Sequence, residues 1–158
     1  MSRFEEGLKM IEACCGGGKD MVISLSTIAI EPGLGKNPRP CVRDVDALYE
    51  NGVFYITTYA KSNKMRQIEK NNEVAFSVHF EGISGNGVGE NLGWLLAPQN
   101  AELRNKLRSA FADWYDAANN EQSEDSVILA IRITNAVIFK EHGAVQYKLD
   151  FINKTEIE

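Results

Sequence analysis

The tripeptide Glu50-Asn51-Gly52 sits between two strand-like runs, Arg39–Leu48 and Val53–Tyr59, and limits the fold more than any other feature. Asn-Gly supplies the positive backbone angles of a tight reversal, so the runs on either side must pair antiparallel. Glu81-Gly82 repeats the arrangement between Val74–Phe80 and the glycine-rich run Ile83–Glu90, and His142-Gly143 precedes Val145–Phe151. With Met21–Ile30, rich in β-branched residues, and the alternating Val127–Thr134, this predicts about seven strands, mostly joined as hairpins. Three helices are expected. Ser2-x-x-Glu5 is a capping box ahead of Phe4, Leu8 and Ile11, and Gly16-Gly17-Gly18 ends that helix. Ser62 is the N-cap of a short helix through Lys70 that turns Met65 and Ile68 inward. Leu103, Leu107, Phe111 and Trp114 mark a third helix, from Pro98 to Ala118. That many strands in 158 residues favour closure into a small antiparallel barrel whose openings the helices plug.

Composition narrows the class. Hydrophobic residues make up 44% and charged residues 25%, as expected of a globular chain, and the length suits one domain over residues 1–158. Its expected parts are a helix and glycine linker (1–18), a barrel (19–152) and a polar tail (153–158) that frays. The formal charge of −5, without a basic stripe, excludes a general nucleic-acid binder. Met21–Ile30 is far shorter than the roughly 20 apolar residues of a spanning helix, so no membrane partner is expected. Met1–Glu6 is too acidic for a signal peptide. Three cysteines, two of them adjacent (Cys14, Cys15), make no disulfide framework, and reduced thiols in a cytoplasmic protein are the expectation. A domain this small has difficulty enclosing a cofactor with its own walls.

No hydrolase or metal motif stands out. Ser84 in Gly82-Ile83-Ser84-Gly85 belongs to a hairpin rather than a strand-to-helix elbow. The two histidines, His79 and His142, lack further ligands at metal spacing. The informative stretch is Thr57-Thr58-Tyr59-Ala60-Lys61-Ser62-Asn63-Lys64-Met65-Arg66-Gln67-Ile68, where a strand leads through a basic loop into a capped helix. Helix N-termini offer unpaired amides and a positive dipole end; Ser62 and Lys64, with Lys61 or Arg66, would complete a receptor for one phosphate. An ordinary solvated helix start explains the same residues equally well. Upstream, alternation puts Arg39, Cys41, Arg43 and Val45 on one face and Val42 and Asp44 on the other. An arginine inside a barrel strand is costly without a partner, so Arg43 either meets an anion or a polar ring edge, or faces solvent.

Taken in order, Leu25-Ser26-Thr27, Pro38-Arg39-Pro40-x-Val42-Arg43-x-Val45, Gly52-Val53-Phe54-Tyr55-Ile56-Thr57-Thr58 and Ser62-x-Lys64-x-x-Gln67-Ile68-x-x-Asn71-x-x-Val74-Ala75 resemble the pyridoxamine 5′-phosphate oxidase-related FMN-binding split barrels, general stress protein 26-type flavoproteins in particular. The resemblance covers about Met21 to Phe151. It implies a six-stranded antiparallel split β-barrel with flanking helices, forming a homodimer that binds FMN between subunits and acts as an oxidoreductase on a small molecule. Val42, Arg43 and Asp44 would contact the flavin ring, chiefly through backbone atoms. Thr57, Thr58, Ser62, Asn63 and Lys64 would hold the phosphate, although Asn63 stands where the oxidases carry a second basic residue. Trp94 would either stack near the flavin of a partner chain or anchor the core. The chain ends without the Arg- and Trp-rich segment of the oxidases proper, which argues against pyridoxamine phosphate as substrate. A flavin carrier or sensor without turnover, or a barrel holding haem or a deazaflavin, are the alternatives.

Overall fold

The computed structural model describes residues 1–157. The chain runs α1 (Arg3–Cys15), β1 (Met21–Ile28), β2 (Pro40–Glu50), β3 (Val53–Tyr59), α2 (Asn63–Lys70), β4 (Glu73–Val78), β5 (Ile83–Trp94), α3 (Ala101–Ala110), α4 (Tyr115–Ala118), β6 (Ser126–Lys140), β7 (Val145–Asp150) and β8 (Thr155–Glu156). The sheet order is β3-β2-β1-β4-β5-β6-β7-β8, every pair antiparallel, and a β3–β6 pairing closes the first six strands into a barrel. The expected six-stranded split barrel is therefore present. The Asn51-Gly52 reversal is also as expected, with both residues at positive φ (51° and 79°).

Closure is uneven, and the unevenness makes the site. β3 pairs with β6 along its whole length, Val53↔Arg132 to Tyr59↔Ser126. It pairs with β2 only at Leu48↔Tyr55, Tyr49↔Phe54 and Glu50↔Val53. Beyond these three pairs the strands part, so residues 40–47 of β2 are laddered to β1 alone and the barrel is split along their other edge. Arg39 O accepts from Ala29 N, which turns the backbone groups of Cys41, Arg43 and Val45 toward β1. By strand alternation, the N–H and C=O groups of Val42 and Asp44 face the split.

Helices close the two mouths. Phe4, Ile11 and Cys15 of α1 join the core beside Tyr49, whose hydroxyl donates to Glu12 at 2.7 Å. At the other end Met65 and Ile68 of α2 enter the barrel. This close approach needs Gly89, where a β-carbon would stand 2.9 Å from Ile68 Cγ2. Phe54 lies between Tyr49 and Phe76 at ring separations of 5.5 and 5.1 Å. A second apolar cluster lies outside the barrel, where Leu107, Phe111 and Tyr115 cover Leu48, Leu95 and Ile128.

Four expectations are corrected. The third helix breaks at Phe111–Trp114, because Trp114 and Tyr115 turn to separate partners. Trp114 Nε1 donates to Asp20 and the Tyr115 hydroxyl to Glu121. The strand read as Val127–Thr134 is a 15-residue strand that serves the barrel with one half and β7 with the other. The tail does not simply fray: Thr155–Glu156 pairs with β7, and Glu156 receives Arg3. Phe80 leaves its strand for the turn, with φ 58°. The thiols are free, as expected, and burial pushes Cys15 up to about 12. Among the described residues no helix is long and apolar enough to cross a membrane.

Glu121 ties the outer layer together. It accepts from Arg104 at 2.7 Å, Arg108 at 3.2 Å and Tyr115 at 2.8 Å, and chiefly through Arg104 its carboxyl is held down to about 2. A carboxyl depressed by folding stabilises the native state above its unfolded pKa and loses that contribution as pH falls through the folded one. Glu121→Gln should cost about 1–3 kcal/mol at neutral pH. It should also flatten the loss of thermal stability between roughly pH 4.5 and pH 2. Melting curves of the two proteins across that range test this, and parallel acid profiles would contradict it.

Candidate functional site

Where β2 leaves β3, the inward face of the barrel turns polar. β1 and β2 direct Ile23, Leu25, Val45 and Ala47 inward along most of their length, but nearest α2 the inward residues are Thr27, Cys41 and Arg43. The Arg43 guanidinium donates through Nη1 to Thr27 Oγ1 (2.7 Å) and Leu25 O (3.2 Å), and through Nη2 to Gln67 Oε1 (3.0 Å). The fully buried Thr27 hydroxyl also donates to Gln67 Oε1, and Gln67 Nε2 reaches Cys41 Sγ at 3.7 Å. All these acceptors are neutral. Arg43 is oriented by its neighbours, but its charge is not balanced by them.

Lys64 adds a second charge. Its ammonium is half-buried on the first turn of α2, and desolvation followed by repulsion from Arg43 pushes its pKa down. Burial likewise lowers Arg43. Neither forms an ion pair with a described residue. Ser62 takes the extended backbone of an N-cap, yet its side chain makes no cap hydrogen bond. Its Oγ is buried without a hydrogen-bond partner, an arrangement that costs about 1–3 kcal/mol unless something completes it. Two desolvated cations, an unsatisfied hydroxyl and the free amides of a helix start meet the requirements of a compact anion such as phosphate.

The other expected residues divide. Lys61 is exposed and pairs with Asp125 at 3.2 Å. Asn63 and Arg66 are exposed. Thr58 shares the inward side of β3 with Phe54 and Ile56. Thr57 faces the helical layer, and both threonines line a cavity of about 320 Å³ with Trp114, Asn119 and Asn120. Val42 and Asp44 point outward: Val42 is 70% exposed, and Asp44 accepts from Ser24 (2.9 Å) and contacts His79 Nε2 (3.0 Å), which together lower its pKa. Their backbone groups, not their side chains, face the split. Trp94 is anchored within its own chain, Nε1 donating to Glu121 O at 2.7 Å. Thr27, Gln67 and Cys41 were not anticipated as site residues. Thr27 was legible as the one polar residue at an inward position of β1, and Gln67 as the polar neighbour of Ile68 on the buried side of α2.

No protein-family model matches the chain, and neither does any curated protein. Solved structures do. The fold is similar to that of a heme binding protein from Mycobacterium smegmatis, with TM-score 0.68 and 13% identity over 95% of this chain and 58% of the other. It is similar to a FAD-binding protein from Mesorhizobium loti, with TM-score 0.60 and 18% identity over 82% and 90%. It is also similar to a protein from Clostridium acetobutylicum related to general stress protein 26 of B. subtilis (pyridoxinephosphate oxidase family), with TM-score 0.59 and 12% identity over 98% and 99%. At these identities the likeness establishes the fold.

An anion site at Lys64 can be tested without any cofactor. Inorganic phosphate should raise the melting temperature of the wild type in proportion to the logarithm of its concentration. Lys64→Met should lose most of that rise; equal shifts in both proteins would contradict an anion site at Lys64.

Proposed function

We propose that this chain is an FMN-binding flavoprotein of the pyridoxamine 5′-phosphate oxidase-related split-barrel family, acting in the cytoplasm as a homodimeric oxidoreductase on a small molecule. The observation behind the reading is the buried, unpartnered Ser62 Oγ beside the uncompensated cations Lys64 and Arg43. The ligand's phosphate would take the Ser62 hydroxyl, the Lys64 ammonium and the first amides of α2. Thr27 and Gln67 position Arg43 so that its charge faces the same anion, and the open backbone edge at Val42 and Asp44 offers alternating donors and acceptors to a planar ring system. When bound, FMN supplies the hydride or electron transfer, and the protein supplies position and electrostatics.

A homodimer would draw on exposed apolar side chains near the split. Ile30, Leu34, Val42 and Tyr59, on the strands and loop bordering the split, are 51%, 94%, 70% and 52% exposed. Apolar surface gathered at a groove marks an interaction site. Haem is disfavoured by the histidines themselves: His79 Nε2 is engaged by Asp44 and Ser24 outside the barrel, and His142 lies exposed in a turn. Oxidation of pyridoxamine phosphate itself forms no part of the proposal, since β7 and β8 carry no tryptophan or arginine.

The purified protein should show flavin absorbance, or acquire it on adding FMN. Ser62→Ala combined with Lys64→Ala should weaken FMN binding by about 100-fold or more, the loss expected for one neutral and one charged hydrogen bond. Circular dichroism should show the fold retained. A colourless protein that ignores added FMN would overturn the reading.

A further inference from the structure

The mouth of the barrel opposite α2 is only partly covered. Helix α1 leans on β7, where Gly7 permits a close approach: a β-carbon there would stand 2.8 Å from Leu149 Cδ2. The Tyr147 hydroxyl fixes the contact by donating to Glu6 at 3.1 Å. On the other side of the helix a trough of about 610 Å³ separates it from β3 and β6. That volume lies in the range of small-molecule sites, roughly 300–1,000 Å³. Phe4 and Leu8 form one wall, and Val53, Ile133 and Phe151 the other. Glu12 follows Leu8 by the same four-residue interval that separates Leu8 from Phe4, so the three share one helix face.

The two ends of the trough carry opposite charges. At one end Glu12 Oε1 accepts from the Tyr49 hydroxyl at 2.7 Å, and no cation of a described residue pairs with this carboxylate. Tyr49 is 2% exposed, so Glu12 is aimed by a fixed, buried donor. Lys154 lies at the other end. Phe151 before it packs on Phe4 at a ring separation of 5.5 Å, and Glu156 after it receives Arg3 at 3.2 Å. Lys154 also forms no ion pair with a described residue. The remaining charges of the trough are engaged: Glu5 completes the capping box with Ser2, and Arg132 pairs with Glu90 at 2.9 Å. From Phe4 to Glu12 the helix rises roughly 12 Å, at about 1.5 Å per residue.

We propose that this trough binds a short apolar peptide with both termini free, its α-amino group at Glu12, its carboxylate at Lys154 and its side chains between the two walls. An extended chain advances about 3.3–3.6 Å per residue, so about three residues fill the span. The charges select against simpler ligands. A fatty acid would meet Lys154 but set its apolar end against the Glu12 carboxylate, and a lone amine would leave Lys154 without an anion. The site lies at the opposite mouth from Arg43 and Lys64 and is independent of the flavin reading.

Calorimetric titration with trileucine, N-acetyl-trileucine and trileucine amide tests this. The wild type should bind trileucine, and blocking either terminus should weaken binding about tenfold or more, the loss of one charge-assisted contact. Glu12→Gln keeps an acceptor for the Tyr49 hydroxyl, and its circular dichroism should match the wild type. It should bind trileucine no more tightly than the wild type binds the acetylated peptide. Lys154→Met, in an exposed turn, should in the same way bind trileucine no more tightly than the wild type binds the amide. Failure of the wild type to bind trileucine would overturn the proposal. Equal affinity for the three peptides, or unchanged trileucine binding in either variant, would overturn it as well.

Discussion

Strand β3 has two neighbours and pairs along its whole length with only one of them. It pairs with β6 from Val53 to Tyr59 and holds β2 through three residues next to the Asn51-Gly52 turn. The rest depends on that choice. The free edge of β2, the gap that α2 partly fills, and the inward polar group at Thr27, Cys41 and Arg43 all exist because the barrel does not close evenly. A fully laddered β2–β3 pair would consume the backbone groups that now face the split, leaving no route from solvent to Arg43.

The same gap explains a charge arrangement that would otherwise be hard to tolerate. A desolvated cation without a carboxylate is among the costliest things a small barrel can hold. Here there are two, Arg43 and Lys64, close enough for each other's charge to matter. Thr27 and Gln67 satisfy the guanidinium's geometry, which keeps it pointed and folded. Its charge is left for something else. Elsewhere the chain balances its buried charge: Glu121, also inside the protein, is surrounded by Arg104, Arg108 and Tyr115. The proposed anion site rests on that contrast.

Much of this was legible in the residues. The Asn-Gly turn, the alternation of β1 and the Ser62–Lys70 helix follow from local physics, and α2 occupies Asn63–Lys70 behind its Ser62 cap position. Arg43 was recognisable as anomalous from strand alternation alone. What escaped depends on long-range partners. The 111–114 break answers to Asp20 and Glu121, which are distant in sequence or across a turn. The ordered tail answers to Arg3, more than 150 residues away. Ser62 was legible as a cap, but only the fold shows its hydroxyl left unpartnered.

The central claim is that Ser62, Lys64 and Arg43 form a receptor for the phosphate of a larger ligand. Calorimetric titration of the wild type with FMN and with riboflavin, which differ in that phosphate, tests it most directly. FMN should bind at least about 100-fold more tightly, an advantage carried by charge-assisted hydrogen bonds and reduced by added salt. Equal affinity for the two flavins would contradict it.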